Sequence, residues 1–76
     1  MSDIVVRVEE IRRGHEARGY YQYVIQEQTN LKYLAANGGF RADGPYSPET
    51  LTFGSKEDAE KHAAANAWIV ENPAAA

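Results

Sequence analysis

Along Ile4-Val5-Val6-Arg7-Val8-Glu9-Glu10-Ile11, an extended chain puts Ile4, Val6 and Val8 on one side and Val5, Arg7, Glu9 and Ile11 on the other. The period of two and the β-branched side chains predict a strand. Tyr20-Tyr21-Gln22-Tyr23-Val24-Ile25-Gln26-Glu27 repeats the pattern: Tyr21, Tyr23 and Ile25 face one way, and Tyr20, Gln22, Val24 and Gln26 the other. Between them, Arg12 to Gly19 is a polar connection bounded by glycines. Gln28-Thr29-Asn30 reads as a turn into a third stretch, Leu31-Lys32-Tyr33-Leu34-Ala35-Ala36. Asn37-Gly38 predicts a type I′ hairpin turn, in which both central residues need positive φ, and Phe40-Arg41-Ala42 a short return strand. After a loop stiffened by Pro45 and Pro48, Thr50-Leu51-Thr52-Phe53 alternates once more.

Beyond Gly54 the period lengthens. Ala59, Ala63, Ala67 and Val70 recur at helical spacing, and their small side chains let a helix lie close on a sheet. Ser55 fits the N-cap, Asp58 completes a variant of the capping box, and Glu57 and Asp58 place negative charge in the first turn. Asn72-Pro73 is expected to stop the helix near Glu71, because the residue before a proline is pushed out of the α region.

These elements predict an α+β fold: an antiparallel sheet of three to four strands with one C-terminal helix on one face, in the order β-β-β-(β)-α. Residues 1–72 form a single domain and 73–76 a flexible tail. One helix covers one face, so the other is where function is sought. The pattern alone does not say which face is which. If Ile4, Val6, Val8, Tyr23 and Ile25 lie under the helix, the open face carries Val5, Arg7, Ile11, Tyr20, Gln22 and Val24, a mixture resembling interface composition. The alternative is that the tyrosines pave the sheet through cross-strand pairing.

Seventy-six residues supply one modest core, and the absence of cysteine excludes disulfides and thiolate metal sites. The N-terminus has no signal-peptide pattern, no stretch is long and apolar enough to span a membrane, and a reducing cytoplasm suits the composition. Net charge is −3, which argues against nucleic acid as the main partner. It is unevenly spread: residues 1–41 sum to +1 and residues 42–76 to −4. The acidic helix half is a solvated face or a dock for a basic partner.

Candidate chemistry is sparse. Asp58 and His62 stand four residues apart on the helix, but two ligands do not make a metal site, and a surface pair worth about 0.2–0.5 kcal/mol accounts for them. Glu9 and Glu10 point to opposite faces and cannot act as a carboxylate pair. Asn37-Gly38-Gly39 lacks the phosphate-loop lysine and the dinucleotide fingerprint. Trp68 is read as core at the sheet edge. No catalytic constellation, cofactor site or metal site is expected.

Tyr33-Leu34-Ala35-Ala36-Asn37-Gly38, followed by Phe53-x-Ser55-Lys56-x-x-Ala59-Glu60, resembles the small bacterial YegP-type domains. Those repeat a lysine-alanine-alanine-asparagine-glycine hairpin ahead of a serine-lysine-x-x-alanine helix start. The likeness spans about half of the chain, departs in the proline loop, and implies a sheet-plus-helix fold with no assigned role. With Gly19-Tyr20-Tyr21 ahead of it, the same closing pattern is similar to the arm-binding domains of phage-type integrases, whose three-stranded sheet enters the DNA major groove. Here the sheet offers only Arg7, Arg18, Lys32 and Arg41, few cations for phosphate contacts.

The expectation is a small non-enzymatic module that binds a larger protein through Arg7, Arg18, Tyr20, Gln22, Val24, Lys32 and Tyr46. By class analogy it compares with phage and mobile-element inhibitors of host machinery, anti-CRISPR proteins included. The alternatives are a nucleic-acid-binding sheet, with Arg12, Arg13 and Arg18 on phosphates, and a structural homodimer formed by open faces.

Overall fold

The computed structural model describes residues 3–14 and 19–71. Two long strands dominate it, β1 (Val5–Arg13) and β2 (Tyr20–Glu27), paired antiparallel so that Val8 faces Ile25, Glu10 faces Tyr23 and Arg13 faces Tyr20. Two short strands, β3 (Tyr33–Leu34) and β4 (Phe40–Arg41), extend the sheet on the β2 side. The helix α1 (Lys56–Ala65) follows, and then β5 (Ile69–Val70) returns to lie parallel to β1 at Val5 and Val6. The order is β4-β3-β2-β1-β5. The α+β class and the C-terminal helix on one face are as expected. The sheet, however, is mixed and five-stranded, and the helix stops six residues short of Glu71.

Both differences have one cause. The N–H of Ala67 donates to the carbonyl of Ala64 (3.0 Å) and that of Trp68 to the carbonyl of Ala63 (2.9 Å). This is the Schellman bond pattern, with Asn66 as C-cap and Ala67 in the left-handed position at φ 60°. The chain therefore turns out of the helix eight residues into the alanine stripe. Ile69 then donates to the carbonyl of Ile4 and Glu71 to that of Val6. A glycine at the turn would have announced the stop; an alanine conceals it. At the other end Ser55 caps as expected, its Oγ accepting the N–H of Asp58 at 3.1 Å.

The hairpin between β3 and β4 also differs in type. Only Gly38 has positive φ (93°), the Gly38 N–H donates to the Ala35 carbonyl, and the Ala35 N–H donates to Gly39. That is a three-residue loop with a bulge glycine, with Asn37 Oδ1 accepting the Gly39 N–H instead of entering the left-handed region. The stretch 50–53 is not a continuous strand. It bridges twice, Thr50 to Ala35 and Phe53 to Tyr23, filling the gap where β3 parts from β2.

The main core lies under the helix: Val6, Val8, Ile25, Leu34, Ala59 and Ala63 are buried, with Ile4, Tyr23, Phe40, Leu51, Phe53, Trp68 and Val70 packed around them. Ala59 and Ala63 are fully buried, consistent with small side chains letting the backbone approach the sheet. Trp68 belongs to this core, its ring 5.1 Å from Phe40 and 5.9 Å from His62. His62 stacks on Phe53 as well, at 5.3 Å. The expected Asp58–His62 surface pair thus gives way to an aromatic row running under the helix.

Candidate functional site

The face away from the helix carries Arg7, Glu9, Ile11 and Arg13 of β1 opposite Gln26, Val24, Gln22 and Tyr20 of β2. It is not bare. Val24 is fully buried and Ile11 nearly so, although neither belongs to the core under the helix. Tyr33 explains part of this. Its Cα is opposite Gln26, yet its hydroxyl donates to Glu9 Oε1 on β1 at 2.9 Å. To get there the ring crosses β2 at the level of Val24. Burial, then the bond to Glu9 and the charge of Glu9, with a smaller contribution from nearby Tyr46, push the Tyr33 hydroxyl up to about 12.

Tyr46 completes the cover. The loop from Asp43 to Glu49 is tied down by Thr50, whose Oγ1 donates to the Gly44 carbonyl at 2.7 Å, and by Arg41, which pairs with Asp43 (2.7 Å) and Glu49 (3.3 Å). It brings Tyr46 under the Arg13 guanidinium, whose Cζ stands 5.8 Å from the ring centroid. Val24 therefore leaves the predicted contact set. A side chain with no exposed surface cannot touch a partner, and it is sealed because the proline loop folds back across the sheet.

Toward the end carrying Arg13 and Tyr20 the sheet narrows to two strands. β5 flanks β1 only at Val5 and Val6, and β2 is flanked on its other side only at Tyr23 and Gln26. Here the large side chains stand out: Tyr20 is 54% exposed, Tyr21 56% and Tyr46 57%. Tyr20 and Tyr46 share a face with Arg13; Tyr21 is on the other, opposite Arg12. Gln22, half-buried opposite Ile11, belongs to the same patch as Tyr20.

The other predicted residues are dispersed. Arg7 is on this face but farther along β1, exposed and paired with Glu71 at 3.1 Å. Lys32 sits at the opposite end of the molecule, on the turn after β2, where it helps to line an open hollow of about 370 Å³ with Asp3, Ile4, Glu27, Thr29, Asn30 and Phe40. Arg18, with His15, falls outside the described residues, as do residues 73–76. The structure thus gathers Tyr20, Gln22 and Tyr46 and separates Arg7 and Lys32 from them. It adds Glu9 and Tyr33, which sequence reasoning missed, and Arg13, which it named only as a phosphate contact in the nucleic-acid alternative. The period of two placed Glu9 on the face of Arg7 and Ile11, but Arg13 was assigned to the connection after Ile11, whereas β1 runs on to Arg13, and nothing foretold where residues 43–49 would land.

Two further polar groups have structural work. Glu27, buried at the end of β2, accepts N–H groups from Thr29 (2.8 Å), Asn30 (2.9 and 3.1 Å) and Lys32 (3.3 Å). Burial pushes its carboxyl up, but those three backbone donors and the Lys32 charge outweigh it and hold the group below its ordinary value. Glu10 accepts the Tyr23 hydroxyl at 3.0 Å on the helix side, the face opposite Glu9. That bond, then desolvation and the Glu10 charge, raises the Tyr23 hydroxyl.

Among the described residues no three His, Asp or Glu side chains stand together as a metal site, and no helix is long and apolar enough to cross a membrane. No protein-family model, no curated protein and no solved structure matches this chain.

Proposed function

We propose that this chain is a non-enzymatic docking module that binds a larger protein through the end of the sheet carrying Tyr20, Gln22, Arg13 and Tyr46. The observation that carries the reading is the pairing of two half-exposed tyrosines around an arginine on one face. Aromatic rings and guanidinium groups dominate interface energetics because they bury much area for few rotatable bonds. Here the backbone beneath them is held in advance. Tyr20 is on a laddered strand, and the loop of Tyr46 is fastened by Thr50 and Arg41. Such pre-ordering lowers the entropy cost of association. Lys32, at the far end, has no part in this surface.

The test is a photo-crosslinking amino acid placed at position 20 or 46 and, as control, at Ala64 on the exposed helix surface, in an extract of the native host. Adducts to one protein from positions 20 and 46 and none from 64 are expected. Tyr20→Ala should weaken capture of that protein at least tenfold, in the range of a moderate hot spot. Arg7→Ala should weaken it less, while its loss of an exposed ion pair moves stability by no more than about 1 kcal/mol. Equal adducts from all three positions would defeat the reading. Retention of duplex DNA at low salt, lost with the same substitutions, would favour the nucleic-acid alternative.

A further inference from the structure

We infer that the partner adds a strand to this sheet: an extended segment of it pairs with the free edge of β2 at Tyr21. The inference rests on the docking reading above and states how that end of the sheet is engaged. It starts from the main chain. The Gln28 N–H donates to the Val5 carbonyl, so even-numbered residues of β2 turn their main-chain groups toward β1 and odd-numbered ones toward the opposite edge. Tyr23 uses that edge: its N–H donates to the Phe53 carbonyl at 3.0 Å, and its carbonyl accepts the Phe53 N–H at 2.8 Å. Tyr21, two residues along, has the same phase. No strand or bridge among the described residues meets it.

The lane beside Tyr21 is empty because the chain leaves it. In the ladder begun by Phe53, position 55 would come opposite Tyr21. Ser55 instead caps α1, its Oγ accepting the Asp58 N–H, and the backbone turns into the helix. A donor and an acceptor are left in line with a ladder that the molecule has already started. An extended backbone is the shape that completes it, and main-chain pairing of this kind is a general way to hold a peptide segment. The residue opposite Tyr21 would exchange two hydrogen bonds with it, as Phe53 does with Tyr23.

The side chains beside the lane define the segment. Tyr21 stands exposed on the helix side of the sheet and Tyr20 on the other. Alternate residues of an added strand pack on one ring and then the other, and β-branched or aromatic side chains pair well with tyrosine across a ladder. At Gly19 a Cβ would stand 2.5 Å from Arg12 Nε. The missing side chain lets the Arg12 guanidinium lie across β2 there, so an acidic residue fits that level of the segment. A second copy of this chain is a poorer occupant. Its own β2 edge already carries Phe53 beside Tyr23, which limits a β2–β2 ladder to Tyr21 and the residues before it. Such a ladder would also bring the Arg12 side chains of both copies toward one seam, and like charges across a ladder repel.

The experiment records amide proton–nitrogen spectra of the full chain while a synthetic peptide is added up to about 1 mM. The peptide has about six residues, valine alternating with threonine between two glutamates, and blocked ends. Its counterpart is N-methylated along the main chain and cannot donate. The Tyr21 amide is expected to move downfield with the first peptide and to stay in place with the second. Tyr21→Pro removes the edge donor but keeps the β1–β2 ladder, because that N–H faces away from β1. Compared with Tyr21→Ala, it should weaken peptide binding, read at neighbouring amides, and partner crosslinking from position 46 about tenfold or more. Thermal melts check folding, and should Tyr21→Pro fail to fold, the two peptides carry the test. No movement of Tyr21 at the highest concentration, or equal movement with both peptides, would overturn the inference. So would an apparent mass of twice 8.4 kDa without peptide, lost in Tyr21→Pro, which gives the edge to a second copy. Crosslinks from positions 20 and 46 that survive Tyr21→Pro would overturn it while the docking face stands. Wild-type chain that moves at Tyr21 but gives no crosslinks would uphold the edge and remove the docking reading instead.

Discussion

Replacing Ala67 with glycine should make the protein more stable, against the usual effect of glycine near a helix. Ala67 holds φ at 60°, where the Cβ of an L-residue crowds the following carbonyl. That conformation costs about 1–2 kcal/mol for a non-glycine residue. Glycine relieves it but adds about 0.4–1 kcal/mol of unfolded-chain entropy. The difference is a gain of about 0.5–1 kcal/mol. In a domain of this size 1 kcal/mol moves Tm by about 4–8 °C, so a rise of roughly 2–8 °C is expected. Urea unfolding followed by Trp68 fluorescence would measure it, since Trp68 sits directly after the turn and packs on the core. Ala64→Gly is the matched control. It lies three residues earlier, in α1 and exposed, where glycine should cost about 0.5–1 kcal/mol. If both substitutions destabilise, Ala67 is not in the left-handed position. The helix then continues, and the parallel fifth strand is lost with the turn that delivers it.

Glu27→Gln should cost about 1.5–3 kcal/mol, because an amide offers one acceptor oxygen to donors that now share two charged ones. Since the folded-state pKa of Glu27 is depressed, its contribution is present above the unfolded value near 4.5 and is lost as pH falls through the folded one. Stability of the wild type against pH should therefore fall more steeply below about 4.5 than that of Glu27→Gln. Tyr33 predicts the opposite limb. With its hydroxyl pushed up to about 12 by burial and Glu9, its contribution is intact below pH 10 and disappears between 10 and 12. In a spectrophotometric titration Tyr33→Phe should remove the slowest-rising phase and leave the earlier ones; loss of an early phase would mean that Tyr33 is not the covered tyrosine.

Much of this fold is legible where the chain obeys a single period. β1 and β2 alternate without interruption, and the faces fall as the alternation implies, down to Glu9 and Glu10 bonding to Tyr33 and Tyr23 on opposite sides. The N-cap is legible too, because Ser55 and Asp58 use local chemistry. What was not legible depends on residues defying their own preferences or on long-range placement. Ala67 takes a glycine conformation, so the alanine stripe runs on in sequence after the helix has ended. Leu31, also at φ 60°, follows a turn organised by the Glu27 carboxylate four residues earlier. The landing of Tyr46 beside Arg13 is set by Thr50 and Arg41, and no periodicity encodes it. The candidate site was thus readable as a face but not as a set of contacts, and Val24 was assigned to the surface for that reason.

That hidden loop changes what the second face can do. A sheet with one helix and a bare apolar underside would adhere to many surfaces. Here Tyr33 and Tyr46 close over Val24 and Ile11, and the side chains left outward are two tyrosine rings, a glutamine and arginines. Cover of this kind exchanges indiscriminate apolar area for a few anchors of defined position, which favours specificity over raw affinity.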